Sequence, residues 1–265
     1  MSRLSTRLEA LRKEHRKALS LFVTAGFPSI GTTVPLVTEL AKAGADLIEL
    51  GIPFSDPIAD GPTIQASSQI ALQNGITLEK TFAVAKEIRK QCDLPLILMG
   101  YMNPIHAYGI QRFVDTCVST GIDGTIIPDL PLEESEEYRH LAQAKNVATI
   151  FLAAPTTSRE RLIQLDQIST GFLYCVSITG VTGERQSLAS QAETFLKEAR
   201  SVVKNNPLLV GFGIATPDDA KRVAALSDGI IVGSALVKIL LQAKDNHAID
   251  RAVAFVRSLR RALDS

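Results

Sequence analysis

Tryptophan is absent from the 265-residue sequence, and aromatic residues make up only 5% of it. So few rings exclude a stacking platform for single-stranded nucleic acid. No charge of either sign is in excess: Lys and Arg together number 28, and so do Asp and Glu. That balance excludes the basic surface that would neutralise a phosphate backbone, and there is no acidic tail. Cysteine is scarce. Cys92, Cys117 and Cys175 are odd in number, widely spaced and without a CxxC pair. They read as small apolar fillers kept reduced, which predicts a cytoplasmic protein. No uninterrupted apolar run approaches the roughly 18 residues of a membrane span. The opening segment MSRLSTRLEALRKEHRK lacks the apolar core of a secretory signal and predicts a short amphipathic helix. The histidines His15, His106, His140 and His247 are scattered, and no His, Cys and carboxylate cluster has metal-ligand spacing, so no metal is expected. There is no GxSxG nucleophile elbow.

What is present is an alternation. Short apolar runs lie at Leu19–Thr24, Leu47–Leu50, Leu96–Met99, Gly124–Ile127, Ala148–Leu152, Phe172–Val176, Leu208–Val210 and Gly229–Val232. Segments of helical period lie near Thr32–Ala43, Leu78–Gln91, Ile110–Thr120, Glu133–Lys145, Ser158–Gln167, Ala189–Lys204, Pro217–Leu226 and His247–Leu263. Strands apolar on both faces, alternating with helices, predict a parallel sheet covered by helices. The stretches AGADLIELGIP, TGIDGTIIPDLP and SDGIIVGSAL also echo one another: a turn leads to Asp, then to an apolar strand, then to a polar or Gly-rich end. Eight similar units predict an α/β fold over residues 1–265, a single (β/α)8 TIM barrel with a short extra N-terminal helix. A doubly wound open sheet is the rival.

In a barrel, chemistry belongs at the C-terminal ends of the strands. No lysine stands at any of them, which argues against a Schiff-base mechanism. Glycines cluster at three consecutive ends: Gly180 and Gly183, Gly211 and Gly213, and Gly233, followed by Ser234 and a short helix candidate. A turn accounts for any one of these glycines. As a set beside a helix N-terminus they predict a phosphate site, because backbone N–H groups close on an anion only where no Cβ intrudes. GFGIAT lacks the third small residue of a dinucleotide fingerprint and comes late in the chain.

Glu49 is an acid inside an apolar strand, in the stretch ELGIPFSDPIADGP. Alternation puts it on the same face as Leu47. Facing the barrel mouth, it would have its pKa raised by desolvation until it could give and take protons near neutrality. Paired with a cation on a covering helix, it would be structural. Asp60 closes a loop stiffened by Pro53, Pro57 and Pro62, and either takes part in catalysis or caps the next helix through Thr63. Asp56 is a turn residue, structural or interfacial.

The segments ELGIPFSDPIADGPTIQ, SITGVTGE, GFGIATPDDA and GSALVKI, in order and at similar spacing over essentially the whole chain, resemble the tryptophan synthase alpha chain family. The resemblance implies a lyase that cleaves indole-3-glycerol phosphate to indole and glyceraldehyde 3-phosphate by a retro-aldol step. Neither metal nor organic cofactor is implied in this chain. It also implies Glu49 as general acid and base, and Asp60 as the acceptor of the indole N–H. By the same resemblance Gly183, Gly213, Gly233 and Ser234 bind the phosphate. Phe22, Met99, Tyr101, Asp129 and Tyr174 line the pocket, and Thr182 lies on a loop that closes over it. The implied partner is a beta chain carrying pyridoxal phosphate, in an αββα complex, with Asp56, Asn103, Pro104 and the neighbourhood of Asp129 at the docking surface. A free-standing lyase releasing indole, and a non-catalytic activator of a beta chain, are the alternatives.

Overall fold

The computed structural model describes residues 2–176, 185–211, 213–243 and 247–265, with the backbone alone for 185–191. Nine parallel strands follow one another: β1 (Ala18–Thr24), β2 (Leu47–Gly51), β3 (Leu96–Met99), β4 (Gly124–Ile126), β5 (Ala148–Ile150), β6 (Leu152–Ala153), β7 (Leu173–Val176), β8 (Leu208–Gly211) and β9 (Gly229–Val232). Their order in the sheet is β5-β4-β3-β2-β1-β9-β8-β7-β6. β5 and β6 are the two halves of the fifth expected strand, separated by Phe151 alone, so the chain itself joins the sheet's two ends and the barrel closes. The expected continuous Ala148–Leu152 strand is therefore broken. At the break the Phe151 N–H donates to the Ser169 hydroxyl instead of to a strand carbonyl.

Alternate residues of each strand turn inward. Ala18, Leu47, Ile97, Ile126, Ile150, Phe172, Leu209 and Ile231 pack with Leu4, Leu8 and Leu11 of the helix Arg3–Lys13. The expected N-terminal helix thus plugs the base of the barrel with its apolar stripe. A larger apolar cluster joins the outer strand faces to the surrounding helices.

The echo noticed in the sequence has a physical basis at this base. Asp46, Asp123 and Asp228 immediately precede β2, β4 and β9. Each accepts, on its carboxylate, the backbone N–H of the neighbouring strand's residue: Leu19 at 2.9 Å, Leu96 at 2.9 Å and Leu208 at 2.8 Å. Each returns its own N–H to that same residue's carbonyl. Thr170, before β7, repeats the device with its hydroxyl: it accepts the Thr149 N–H at 2.8 Å and donates its N–H to the Thr149 carbonyl. Four alternate strand junctions therefore carry one polar rung each.

Three of these rungs are also ion-paired, that of Asp228 with Arg200 at 3.6 Å. Arg3 and Arg89 reach Asp123, while Arg7 and Arg260 reach the wholly buried Asp46. Arg3 and Arg7, one turn apart, bolt the plugging helix to two strands. Removing the Asp46 carboxylate takes the inner partner from Arg260, itself 9% exposed and left with Asp264 as its ion-pair partner, and unpairs the Leu19 N–H. Asp46→Ala is expected to cost about 3–5 kcal/mol, read as a fall in the urea midpoint at constant slope.

Candidate active site

At the C-terminal ends of the strands lies a cavity of about 380 Å³. Phe22 at the end of β1, Met99 of β3, Tyr174 of β7, Asp60, Gly213, Gly233 and Ser234 all line it, as expected. Glycines elsewhere make room for its rings. A Cβ on Gly51 would stand 2.5 Å from the tip of the Phe22 ring, and one on Gly211 would stand 2.5 Å from the Tyr174 hydroxyl. Gly211, grouped by sequence with the phosphate glycines, thus also serves to seat an aromatic side chain. Gly213 has φ +31° and nothing within 4 Å of a Cβ, so it leaves the rim open. Gly233 caps the helix Ser234–Gln242, whose first N–H groups carry the partial positive charge that attracts anions.

Glu49 is inside the barrel. It lies in register with Phe22 and turns to the face that carries Leu47. It is wholly buried and does not itself line the cavity. Among the described residues no cation on a covering helix pairs with Glu49: the Ser20 hydroxyl donates to Oε1 at 2.7 Å, and Oε2 has no partner. Burial therefore dominates and pushes the carboxyl up to about 7, against a smaller opposing pull from Ser20.

Asp60 does not cap the following helix. Pro62–Gln73 begins at Gly61 with no side-chain cap, and its N1 proline has no N–H to satisfy. Burial raises the Asp60 carboxyl to about 6, while a hydrogen bond with Tyr101 opposes the rise. The Tyr101 hydroxyl also accepts the Ala59 N–H at 3.1 Å, so Tyr101 holds the Asp60 loop rather than lining the cavity. Tyr174 is held well above the usual phenol range by burial, and next by the two carboxyls Glu49 and Asp60.

Asp129 stands outside the cavity lining. Its carboxylate accepts the Met102 N–H at 2.9 Å at the start of the helix Met102–Tyr108, and the preceding Pro128 lines the cavity instead. Asp56 and Asn103 are exposed and Pro104 half-buried, all away from the cavity lining. Gly183 and Thr182 lie outside the described residues. Sequence reasoning missed Ser20, although its period-two spacing from Phe22 was visible. It also missed Leu152, Val176 and Ile231, which complete the apolar lining. Among the described residues, no group of three or more His, Cys, Asp or Glu could hold a metal ion, and no helix is long and apolar enough to cross a membrane.

Two carboxyls tuned to near neutrality, beside a rim suited to an anion, can move protons on a bound phosphorylated molecule. Fold and site thus define the class: a (β/α)8-barrel enzyme of acid–base chemistry. The family model of the tryptophan synthase alpha chain matches residues 8–263. A tryptophan synthase alpha chain of Geotalea uraniireducens is 49% identical over 260 residues, 98% of this chain and 97% of that one. One from a Thermoanaerobacter species is 46% identical over 264 residues, 99% of this chain and 100% of that one. The crystal structure of tryptophan synthase subunit alpha from Legionella pneumophila superposes with a TM-score of 0.89 at 40% identity, covering 100% of this chain and 99% of that one. The chain belongs to the tryptophan synthase alpha chain family.

The raised carboxyl at Glu49 has a stability consequence whose sign is definite. The folded state holds a proton that the unfolded state releases between the ordinary value of 4.5 and about 7. Stability contributed by the buried neutral acid is therefore present below pH 4.5 and lost as pH rises through 7. Glu49→Gln, which removes the ionisation, is expected to be more stable than the parent at pH 8 by about 1–3 kcal/mol. The gap should close by pH 4.5 in paired urea titrations.

Proposed function

We propose that the chain cleaves indole-3-glycerol phosphate to indole and glyceraldehyde 3-phosphate, as the alpha subunit of tryptophan synthase. The observation that carries this reading is the pair of carboxyls, wholly buried Glu49 and half-buried Asp60, both raised toward neutrality beside one cavity. Family membership supplies the substrate. The volume of about 380 Å³ suits a small molecule.

The glycerol phosphate end binds at Gly213, Gly233, Ser234 and Gly183, where backbone N–H groups meet the anion. Phe22, Met99 and Tyr174 surround the indole, with Met99 supplying an adaptable apolar surface. Glu49 gives a proton to indole C3, and the ring nitrogen takes up the positive charge. Asp60 accepts the indole N–H and stabilises that charge. Glu49 then takes the proton of the glycerol 3-hydroxyl, the bond from that carbon to C3 breaks, and its electron pair returns to the ring. The substrate's own ring is the electron sink, so no cofactor is required of this chain. Tyr101 and Asp129 hold the loops around the pocket.

The partner is the beta chain, which carries the pyridoxal phosphate, in an αββα complex of the cytoplasm. Its docking surface includes Asp56, Asn103 and Pro104. Beside Asp56, Ile58 is 84% exposed, an apolar contact that a partner would cover.

Glu49→Gln is expected to lower indole release by about 10²–10⁴-fold while glycerol phosphate still binds. Turnover equal to the parent's would remove the acid–base assignment. Indole release by the unaltered chain is expected to rise on adding the beta chain; full activity alone would instead mark a free-standing lyase.

A further inference from the structure

Ser20 is the one side chain among the described residues that hydrogen-bonds Glu49. It lies on β1 opposite Leu47, one inward step toward the barrel base from Phe22, and is wholly buried. It is not part of the cavity lining and stands one inward step deeper in the barrel than Phe22 and Glu49, so Glu49 lies between it and the mouth. Its hydroxyl donates to Oε1 at 2.7 Å, and Oε2 is left buried and unpartnered.

This pairing suits a group that must alternate between acid and base. A lysine or arginine at position 20 would hold Glu49 as the carboxylate, and an apolar side chain would favour the neutral acid. A hydroxyl serves both states: it donates to Oε1 whether that oxygen belongs to the carboxylate or is the carbonyl oxygen of the acid protonated at Oε2. With Oε1 engaged, Oε2 is the oxygen left to exchange a proton. We propose that Ser20 is a positioning residue for Glu49: its hydroxyl holds the carboxyl through Oε1 in both protonation states and leaves Oε2 to exchange the proton with the substrate. This rests on the reading of Glu49 as the general acid and base.

Among the described residues the surroundings leave this role to Ser20. Tyr174 of β7 is the titratable group whose field couples to Glu49, and it stays a neutral phenol. Asp60 acts on the same tyrosine. The influences on Glu49 itself are burial and Ser20, with no cation among them. Deleting a hydrogen bond to the charged form must therefore raise the carboxyl further above about 7.

The test compares Ser20→Ala and Ser20→Thr with the parent, each assayed with its beta chain across pH. A hydrogen bond to a charged group corresponds to an upward shift of about one to two pH units in the Glu49 ionisation seen in kcat/KM. In Ser20→Ala that shift is expected together with a fall in kcat of about tenfold to a hundredfold and a KM within twofold of the parent. Ser20→Thr, which restores the hydroxyl, should return both the ionisation and kcat toward the parent's. Carboxyl-carbon NMR titration of Glu49 in folded Ser20→Ala reads the same shift without turnover. A parental ionisation in Ser20→Ala overturns the proposal. So does a loss of rate with no shift that threonine fails to rescue, which is what lost packing alone would give. If Glu49→Gln retains full turnover, the acid–base reading itself falls; if Glu49→Gln is inactive and Ser20→Ala behaves as the parent, only the role of Ser20 falls.

Discussion

A carboxyl buried on the inner face of a strand, with one hydroxyl for company, is the constraint on which this molecule turns. An ionised acid in an apolar interior is strongly disfavoured, so the group shifts toward its neutral form. For Glu49 that shift ends at about 7. Asp46 and Asp123, also buried, instead make ion pairs with arginines. The two kinds of buried acid stand at opposite ends of the same barrel. Arginines neutralise those at the base, and burial tunes the one near the mouth.

That division explains why the scaffold tolerates the site. The base gathers the polar rungs of Asp46, Asp123, Thr170 and Asp228, the plugging helix and its arginines. Each rung satisfies a backbone donor that the barrel end would otherwise leave open. With the strands tied there, the other end is free to hold an unpaired carboxyl, glycine-rimmed loops and a cavity. Tyr101 extends the same logic upward. One phenol fastens both the Ala59 backbone and the Asp60 carboxyl, and so gives a loop outside the regular structure a set position.

Much of this was legible from residue patterns. The apolar runs marked every strand, and the recurring Asp before three of them marked real structural units; the fourth was hidden because threonine replaces aspartate at position 170. The break at Phe151 was not visible, since it arises from Ser169 and Thr170 hydroxyls entering the ladder from a distant segment. The helix Pro62–Gln73 entered only as the element that Asp60 could cap, its extent unmarked, because the side it buries is built from Ser67, Ser68 and Ala71, small residues with no apolar rhythm. Ser67 is seated by a 2.7 Å hydrogen bond to Thr24 of β1. The inward face of Glu49 followed from strict alternation along β2. The role of Asp60 stayed open, because choosing between a helix cap and a Tyr101 partner requires knowing how two loops meet.

The interruption at Phe151 gives the cylinder a seam. A closed ring of parallel strands has no margin from which to unzip, and parting any intact pair means rupturing a continuous ladder. Between β5 and β6 the backbone already relies on a serine hydroxyl. Transient opening of the wall therefore has its natural starting point there, beside the strand that carries Tyr174, so slow deuterium uptake by the barrel amides would spread outward from position 151.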